Sequence, residues 1–236
     1  MTYQLNFRRT ALAMAAPIAL GATAIFAPGA AIAQSYSPDV LQVSETGPIA
    51  FDPSPKLDLA DGGAIEFWVA ASWSGDPGYD PPVVINIGPE GILYQVSVLR
   101  ERDGLVFANA NDEDVFIADL SDGNLHHVAV NIMQDGLEVY VDGELVGTSE
   151  LLPLSLPSAG LFVGGIEPDN SANLDGAIAQ LRFWNQPLEQ QEIIDFRLRE
   201  VLDANSEDHP AAEFLAAQSD FRAGELLVVE SMETLP

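Results

Sequence analysis

Short apolar runs separated by turn residues dominate this sequence from Val40 to about Gln186. Between Leu137 and Val141 apolar and polar side chains alternate, which is the period of a strand with one buried face. The pair Asp135-Gly136 precedes this run, and Asp-Gly pairs favour the positive-φ turns that join antiparallel strands. Many short strands connected in this way predict an all-β fold, either a two-sheet sandwich or a barrel.

The period changes to that of a helix after Pro187. Apolar residues recur on one face from Leu188 to Leu202, which predicts an amphipathic helix. A second short helix is predicted near residues 210–221, and the run at 224–230 is predicted to be an edge strand or a tail that binds a partner. Because this extension is too short for a core of its own, we expect it to pack on the sandwich or on a neighbouring molecule.

The first residues have the composition of a secretory signal peptide. Arg8-Arg9 precedes an apolar run, and Ala31-Ile32-Ala33 supplies the small residues of a cleavage site. An uncleaved membrane anchor is the alternative, although Pro17 and Pro28 interrupt the apolar run. We therefore expect a secreted or periplasmic protein, exported by either the general or the twin-arginine route. The predicted order is a signal peptide at 1–33, a sandwich at 34–196 and a helical, acidic extension at 197–236.

Charge and cysteine content narrow the classes of partner. The chain has 36 acidic residues against 9 Lys and Arg, a formal charge of −27, and Lys56 is its only lysine. Nucleic acid and anionic lipid both attract cationic surfaces, so neither is an expected partner, and nothing after the signal peptide predicts a membrane span. With no cysteines, the fold must rest on its hydrophobic core rather than on disulfides.

Four motifs are spread along the strand-rich region. They are Ala64-Ile-Glu-Phe-Trp-Val69, Leu125-His-His-Val-Ala-Val130, Val139-Tyr-Val-Asp-Gly143 and the stretch Asp175–Asn185. In this order they resemble the laminin-G-like and pentraxin-like branch of the concanavalin A-like lectin/glucanase superfamily, over about residues 40–196. The resemblance implies a jelly-roll sandwich of two antiparallel sheets, with a short C-terminal helical extension here. It also implies binding of glycans or proteins, and calcium in some members.

Two positions depart from the pattern of that family. Leu125 stands where the family has a tryptophan before its paired histidines. Ala179 stands where the family commonly has an aspartate that can help hold a structural calcium ion. The second departure argues against an inherited calcium site.

No catalytic constellation is visible in the sequence. His126 and His127 are adjacent on a predicted strand, so their side chains face opposite sides and are expected to pack rather than to bind one ion. Glycanases of this fold use a Glu-x-Asp-x-x-Glu strand, whose alternation brings two carboxylates onto one face. Neither Glu101-Arg-Asp103 nor Glu167-Pro-Asp169 is completed by the second glutamate. We therefore expect a protein that is not an enzyme.

The loop between Ser72 and Pro82 is the first candidate ligand site. Its aromatic rings could stack on sugar rings, and its carboxylates could accept hydrogen bonds from sugar hydroxyls. The alternative is that the tryptophan folds down and closes the end of the sandwich. The candidate residues are Trp73, Asp76, Tyr79 and Asp80.

An oxygen-rich turn at residues 109–114 is the second candidate. Asn109 and Asn111 are predicted to bind ligand, and Asp112 and Asp114 are tentative ligands of calcium, which prefers six to eight oxygens. The alternative is an acidic turn on an acidic protein. Calcium is the single cofactor that the sequence brings into consideration.

These observations favour an exported, non-catalytic recognition module that binds a carbohydrate or an extracellular protein through its rim loops. The alternative is a structural subunit of a cell-surface or extracellular assembly, which would dock on the next copy through its C-terminal segment. A glycan-active enzyme is the least favoured hypothesis, because its site is not found.

Overall fold

The computed structural model of the chain describes residues 40–71, 80–99, 104–120, 122–155, 157–166, 173–198, 215–220 and 225–228. All of them belong to one compact unit that spans Ser37–Pro236. The predicted signal peptide lies outside the described residues, and so does most of the loop between Ser72 and Pro82.

The first of two antiparallel sheets has eight strands. Numbered along the chain, they run in the order β10-β9-β8-β3-β12-β13-β14, and β1 pairs with the first part of β12. Their bounds are β1 Val40–Gln42, β3 Gly63–Ala71, β8 His126–Met133, β9 Gly136–Val141, β10 Glu144–Ser149, β12 Gly176–Trp184, β13 Leu215–Asp220 and β14 Glu225–Val228.

The second sheet has six strands in the order β2-β11-β4-β5-β6-β7. Together the sheets confirm the predicted all-β, two-sheet antiparallel sandwich. The helical elements are short: α1 Val43–Thr46, a 3-10 turn at Pro55–Leu57 and α2 Gln190–Phe196. The strands of the second sheet are β2 Ile49–Phe51, β4 Pro82–Gly88, β5 Gly91–Leu99, β6 Gly104–Ala108, β7 Glu113–Ile117 and β11 Gly160–Val163.

The main core lies between the sheets and follows the period of the strands. On β3, Ile65, Phe67 and Val69 are fully buried and face inward. Burying a large apolar side chain contributes about 1.5–3 kcal/mol, so this alternation is the main source of stability. Turn chemistry fixes the register, as in the β9–β10 hairpin, where Asp142 and Gly143 both have positive φ.

The outer face of the first sheet is also covered. Ala64 of β3 and Trp184 of β12 belong to a second apolar cluster with Leu188, Ile193 and Leu215. Since the last three follow the final strand of the sandwich, the C-terminal segment packs on its own chain. α2 begins with a capping box formed by its Glu residues at positions 189 and 192.

One prediction for the C-terminal segment was wrong. Leu215–Asp220 is a strand, not part of a second helix. It pairs with β12, from Arg182 to Trp184, and its first three residues are buried. The open edge of β12 thus overrides the local helix preference. The first predicted helix is confirmed but is shorter, Gln190–Phe196, and the predicted edge strand is confirmed as Glu225–Val228. No helix among the described residues is long and apolar enough to cross a membrane.

Truncation after Leu202 tests whether the C-terminal hairpin serves its own chain. Removing it takes away Leu215, which is buried, and leaves the edge of β12 unpaired. We expect the free energy of unfolding to fall by about 2 kcal/mol or more, measured by urea denaturation. We also expect light scattering to give the same oligomeric state for both proteins. A truncated chain of unchanged stability but smaller assembly mass would show instead that the segment docks on a neighbouring copy.

Candidate functional site

The two candidate regions lie at opposite ends of the second sheet. Asp80 lies just before β4, beside the last residues of β5. Asn109 directly follows β6 and lies beside the start of β5, where the Ala110 amide donates to the Ile92 carbonyl over 2.8 Å. Strands rise about 3.3 Å per residue, so the two ends are roughly 20 Å apart. Asp80 and Asn109 therefore cannot contact the same small ligand.

Of the four candidate residues in the first region, only Asp80 lies within the described residues. Trp73, Asp76 and Tyr79 lie outside the described residues, so their roles stay predictions. Asp80 is half-buried and has an interaction partner of its own. The second region is described completely.

Two adjoining cavities at the second end form what we call the rim groove. Their volumes are about 320 and 350 Å³, and both are lined by Leu93 and Ser155. Ligand pockets commonly measure about 300–1,000 Å³, so each cavity is large enough for one small polar ligand or part of a longer one. The walls are the turns at Glu90-Gly91 and Ala110-Asn111, the segments Leu154-Ser155 and Pro157-Ser158, and the segment Pro53–Asp58.

Buried hydrogen bonds hold one wall of the rim groove. Asn86 of β4 is fully buried, and its Nδ2 donates to the Leu57 carbonyl over 3.3 Å. Its Oδ1 accepts from the Ser158 hydroxyl over 2.6 Å, which attaches a second segment. The Tyr94 hydroxyl donates to the same Leu57 carbonyl over 3.1 Å, and burial raises the pKa of Tyr94, so it remains a donor. Sequence reasoning missed Asn86, although an amide inside an apolar run was a signal.

The two asparagines of the second region have different roles. Asn109 Oδ1 accepts from the amides of Asn111 and Asp112 over 2.7 and 3.1 Å, which fixes the turn. Its Nδ2 donates to the Leu152 carbonyl over 2.9 Å and so joins the turn to the neighbouring wall. Asn111 is exposed and lines the groove. Asn109 therefore positions the turn, and Asn111 is available to a ligand.

The proposed metal ligands are engaged with the protein. Asp112 Oδ1 accepts from the Glu113 amide over 2.9 Å, and Asp114 accepts a hydrogen bond from the Ser149 hydroxyl. Within the described ranges no group of three or more His, Asp or Glu residues is placed to hold a metal ion. Calcium binding at Asp112 and Asp114 stays a prediction.

A buried ionic cluster lies on the outer face of the first sheet. Glu66 of β3 accepts from Arg182 Nη1 of β12 over 2.6 Å, and both are almost completely buried. His127 Nε2 lies 3.5 Å from the other Glu66 oxygen, and the His127 ring packs against Trp68 at a centroid distance of 5.2 Å. A bulge at Gln180, which has positive φ, adds one residue to β12 and so places Arg182 opposite Glu66.

The electrostatics of this cluster fit a structural role rather than a catalytic one. Burial alone would raise the pKa of Glu66, but the charge of Arg182 and the contact with His127 outweigh it and lower the pKa to about 2. A glycosidase acid needs the opposite shift, because it must be protonated near neutral pH. Glu66 is also the only fully buried carboxylate in the part of the chain that the structure describes.

His126 occupies a different environment from its neighbour. Its Nδ1 lies 2.8 Å from Asp142 Oδ2, and its Nε2 lies 3.0 Å from Asp122 Oδ1. Partial burial would lower the pKa of His126, but these hydrogen bonds outweigh it and raise the pKa. The prediction that the paired histidines pack on separate faces is confirmed. His126 ties the loop before β8 to the β9–β10 turn.

The comparisons with known proteins agree with this geometry. A model of the concanavalin A-like lectin/glucanases superfamily, of laminin-G type, matches residues 44–194. The match covers well over half of the chain, and the chain therefore belongs to this superfamily. The resemblance expected from the four motifs is confirmed. The C-terminal strands β13 and β14 lie outside the matched residues.

Solved structures are similar in fold at low sequence identity. A candidate carbohydrate-binding protein from Bacteroides ovatus has 15% identity and a TM-score of 0.52, covering 72% of this chain and 48% of its own. The SAP-like pentraxin of Limulus polyphemus has 13% identity and a TM-score of 0.48, and the match covers 84% of this chain and 98% of the pentraxin. The receptor-binding domain of botulinum neurotoxin type G has 13% identity and a TM-score of 0.48, and the match covers 66% of this chain and 43% of that domain.

The likeness to the Bacteroides protein shows the fold alone. The chain spans less than half the length of the Bacteroides protein and of the toxin domain. No curated protein sequence matches the chain.

Neutralising Glu66 tests the buried cluster. Glu66→Gln keeps the shape but removes the negative charge that offsets the buried charge of Arg182, so we expect a loss of about 3–5 kcal/mol in the free energy of unfolding. Glu144→Gln, at an exposed position on β10, is the matched control and should change it by less than about 0.5 kcal/mol. Equal stability of the two variants in urea denaturation would contradict the assignment.

The stability that His126 contributes should depend on pH. Two carboxylates face its ring, so the protonated form is favoured in the folded protein and the pKa lies above 6.5. A raised pKa gives a contribution that is complete below 6.5 and is lost as pH rises through the folded-state value. We expect the difference in unfolding free energy between wild type and His126→Gln to shrink from pH 5 to pH 9. A difference that is constant across this range would show that the ring is not charged.

Proposed function

We propose that the chain is a non-catalytic carbohydrate-recognition module of an exported protein, and that the ligand occupies the rim groove. The observation that carries the proposal is the groove itself, two adjoining cavities with polar walls around an apolar base. Membership in a superfamily that includes lectins supports it. The composition of residues 1–33 supports export.

The groove offers the contacts that a sugar needs. Glu90 and Asp58 present carboxylate oxygens, and Asn111 and Ser155 can both donate and accept. Exposed prolines of the second cavity, Pro53 among them, supply an apolar surface suited to the C–H face of a pyranose ring. A few polar groups around an apolar contact is the usual composition of a small-molecule site.

Hydrogen bonds within the protein fix the walls of the groove without a ligand. Asn109 fixes the turn that presents Asn111, and Asn86 holds the segment around Ser158. Leu154 donates its amide to the Leu93 carbonyl over 2.9 Å, which joins the third wall to β5. Binding at such a site loses little conformational entropy, because the loops need not become ordered.

Binding without hydrolysis is the expected activity. The buried carboxylate Glu66 is paired with Arg182 and has a lowered pKa, so it is not suited to proton donation. Release of reducing ends from a bound glycan would contradict the proposal and favour a glycoside hydrolase. The assembly alternative depends on the C-terminal segment, and the truncation experiment decides it.

Paired substitutions test the site. In a glycan array followed by calorimetry, Asn111→Ala should weaken binding about 3–10-fold through loss of one or two hydrogen bonds, with an unchanged melting temperature. Asn109→Ala should lower the melting temperature, because it removes the bonds that fix the turn. Unchanged affinity in Asn111→Ala would rule out the rim groove.

Trp73→Ala separates this site from the other end of the sheet. The rim groove predicts that sugar binding survives this substitution. If Trp73→Ala abolishes binding with little change in melting temperature, while Asn111→Ala does not affect it, the site lies in the loop between Ser72 and Pro82. A large drop in stability of Trp73→Ala would place that ring in the core.

A further inference from the structure

The charges around the rim groove have one sign among the lining residues that the structure describes. Glu90 and Asp58 line the two cavities, and both are exposed. Asp112 and Asp52 each stand next to a lining residue in the sequence, and both are exposed. No lysine, arginine or histidine is among its described lining residues.

The cations of the described chain are engaged elsewhere or are too few to offset this. Arg182 is buried against Glu66 on the other sheet, and His126 lies between two aspartates. Arg197 follows α2, on the other sheet. Lys56, the only lysine of the chain, lies in the 3-10 turn next to the groove, and Asp58 is two residues away.

We infer that the rim groove selects uncharged glycans and rejects those that carry carboxylate or sulfate groups. The inference rests on the proposed function and adds the charge class of the ligand. A carboxylate on a sugar in either cavity would lie near Glu90 or Asp58, and like charges at such short range repel each other most strongly at low salt. The formal charge of −27 repels an approaching anion as well. A neutral hydroxyl instead donates a hydrogen bond to either carboxylate.

Matched pairs of oligosaccharides test the inference. Cello-, galacto- and manno-oligosaccharides are compared with their C6-carboxylate forms, which keep the stereochemistry and differ in charge. For any pair of which one member binds, we expect the carboxylate form to bind at least tenfold more weakly at low salt, about 20 mM. The ratio of the two dissociation constants should decrease as the salt concentration is raised, because screening weakens the repulsion.

Charge-neutral substitutions assign the effect to the groove. Glu90→Gln combined with Asp58→Asn keeps the size of both side chains. The amide oxygen introduced at position 58 can still accept from the Ala60 backbone amide, as the Asp58 carboxylate does over 3.1 Å. We expect the double variant to bind the carboxylate form several-fold more tightly than wild type does. Glu144→Gln, on β10 of the other sheet, should leave both affinities unchanged.

Each outcome of these binding experiments leads to one conclusion. Equal or tighter binding of the carboxylate forms by wild type at low salt overturns the selection and leaves the proposed function standing. The same holds if the double variant discriminates as strongly as wild type, since the groove charges would then have no part in it. If no glycan binds in either form while the protein melts cooperatively, the proposed function itself fails.

Discussion

The two faces of β3 determine how the rest of the chain is arranged. Its inward side chains, among them Ile65 and Phe67, form the centre of the core between the sheets. Its outward side chains include Glu66, whose buried charge is offset by Arg182 and contacted by His127. The C-terminal segment then buries the same outer face, through Leu188, Ile193 and Leu215. With one face in the core and the other covered, the first sheet has little free surface at its centre.

The C-terminal segment is attached to this face by specific polar contacts as well as by apolar ones. Asn131 of β8 uses its side-chain amide to bind both the backbone amide and the carbonyl of Leu188, over 3.0 and 2.6 Å. The Trp68 ring nitrogen donates to the Arg197 carbonyl over 3.3 Å, at the other end of α2. Two anchors at the ends of a short helix set its position more firmly than hydrophobic contact alone, because each requires one geometry. α2 is therefore fixed to the sandwich at both of its ends.

Local patterns in the sequence predicted the strands well, but they could not predict pairings between residues that are far apart in the chain. Alternation and Asp-Gly turns located the β9–β10 hairpin, since both signals act within a few residues. The bond between Glu66 and Arg182 joins residues 116 positions apart, and the bulge at Gln180 that aligns them leaves no local signature. The helix predicted near residues 210–221 was wrong for the same reason, because pairing with the distant strand β12 makes Leu215–Asp220 a strand. The rim groove is built from several separate segments, so only its Asn109–Asn111 turn was visible in the sequence.

The division of roles in that turn explains why an oxygen-rich motif need not be a metal site. Asn109 uses both side-chain functions on backbone groups, and Asp112 caps the next amide. A metal site also needs several such oxygens converging on one point, and among the described residues no group of three or more His, Asp or Glu side chains is placed to hold a metal ion. The side chain of the turn that lines the groove is the neutral amide Asn111, and the groove also holds two carboxylates, Glu90 and Asp58. Donors on a ligand can be matched by all three groups, whereas a negative charge on a ligand can be matched by only one of them. The chemistry of the groove therefore favours a partner rich in hydroxyl groups.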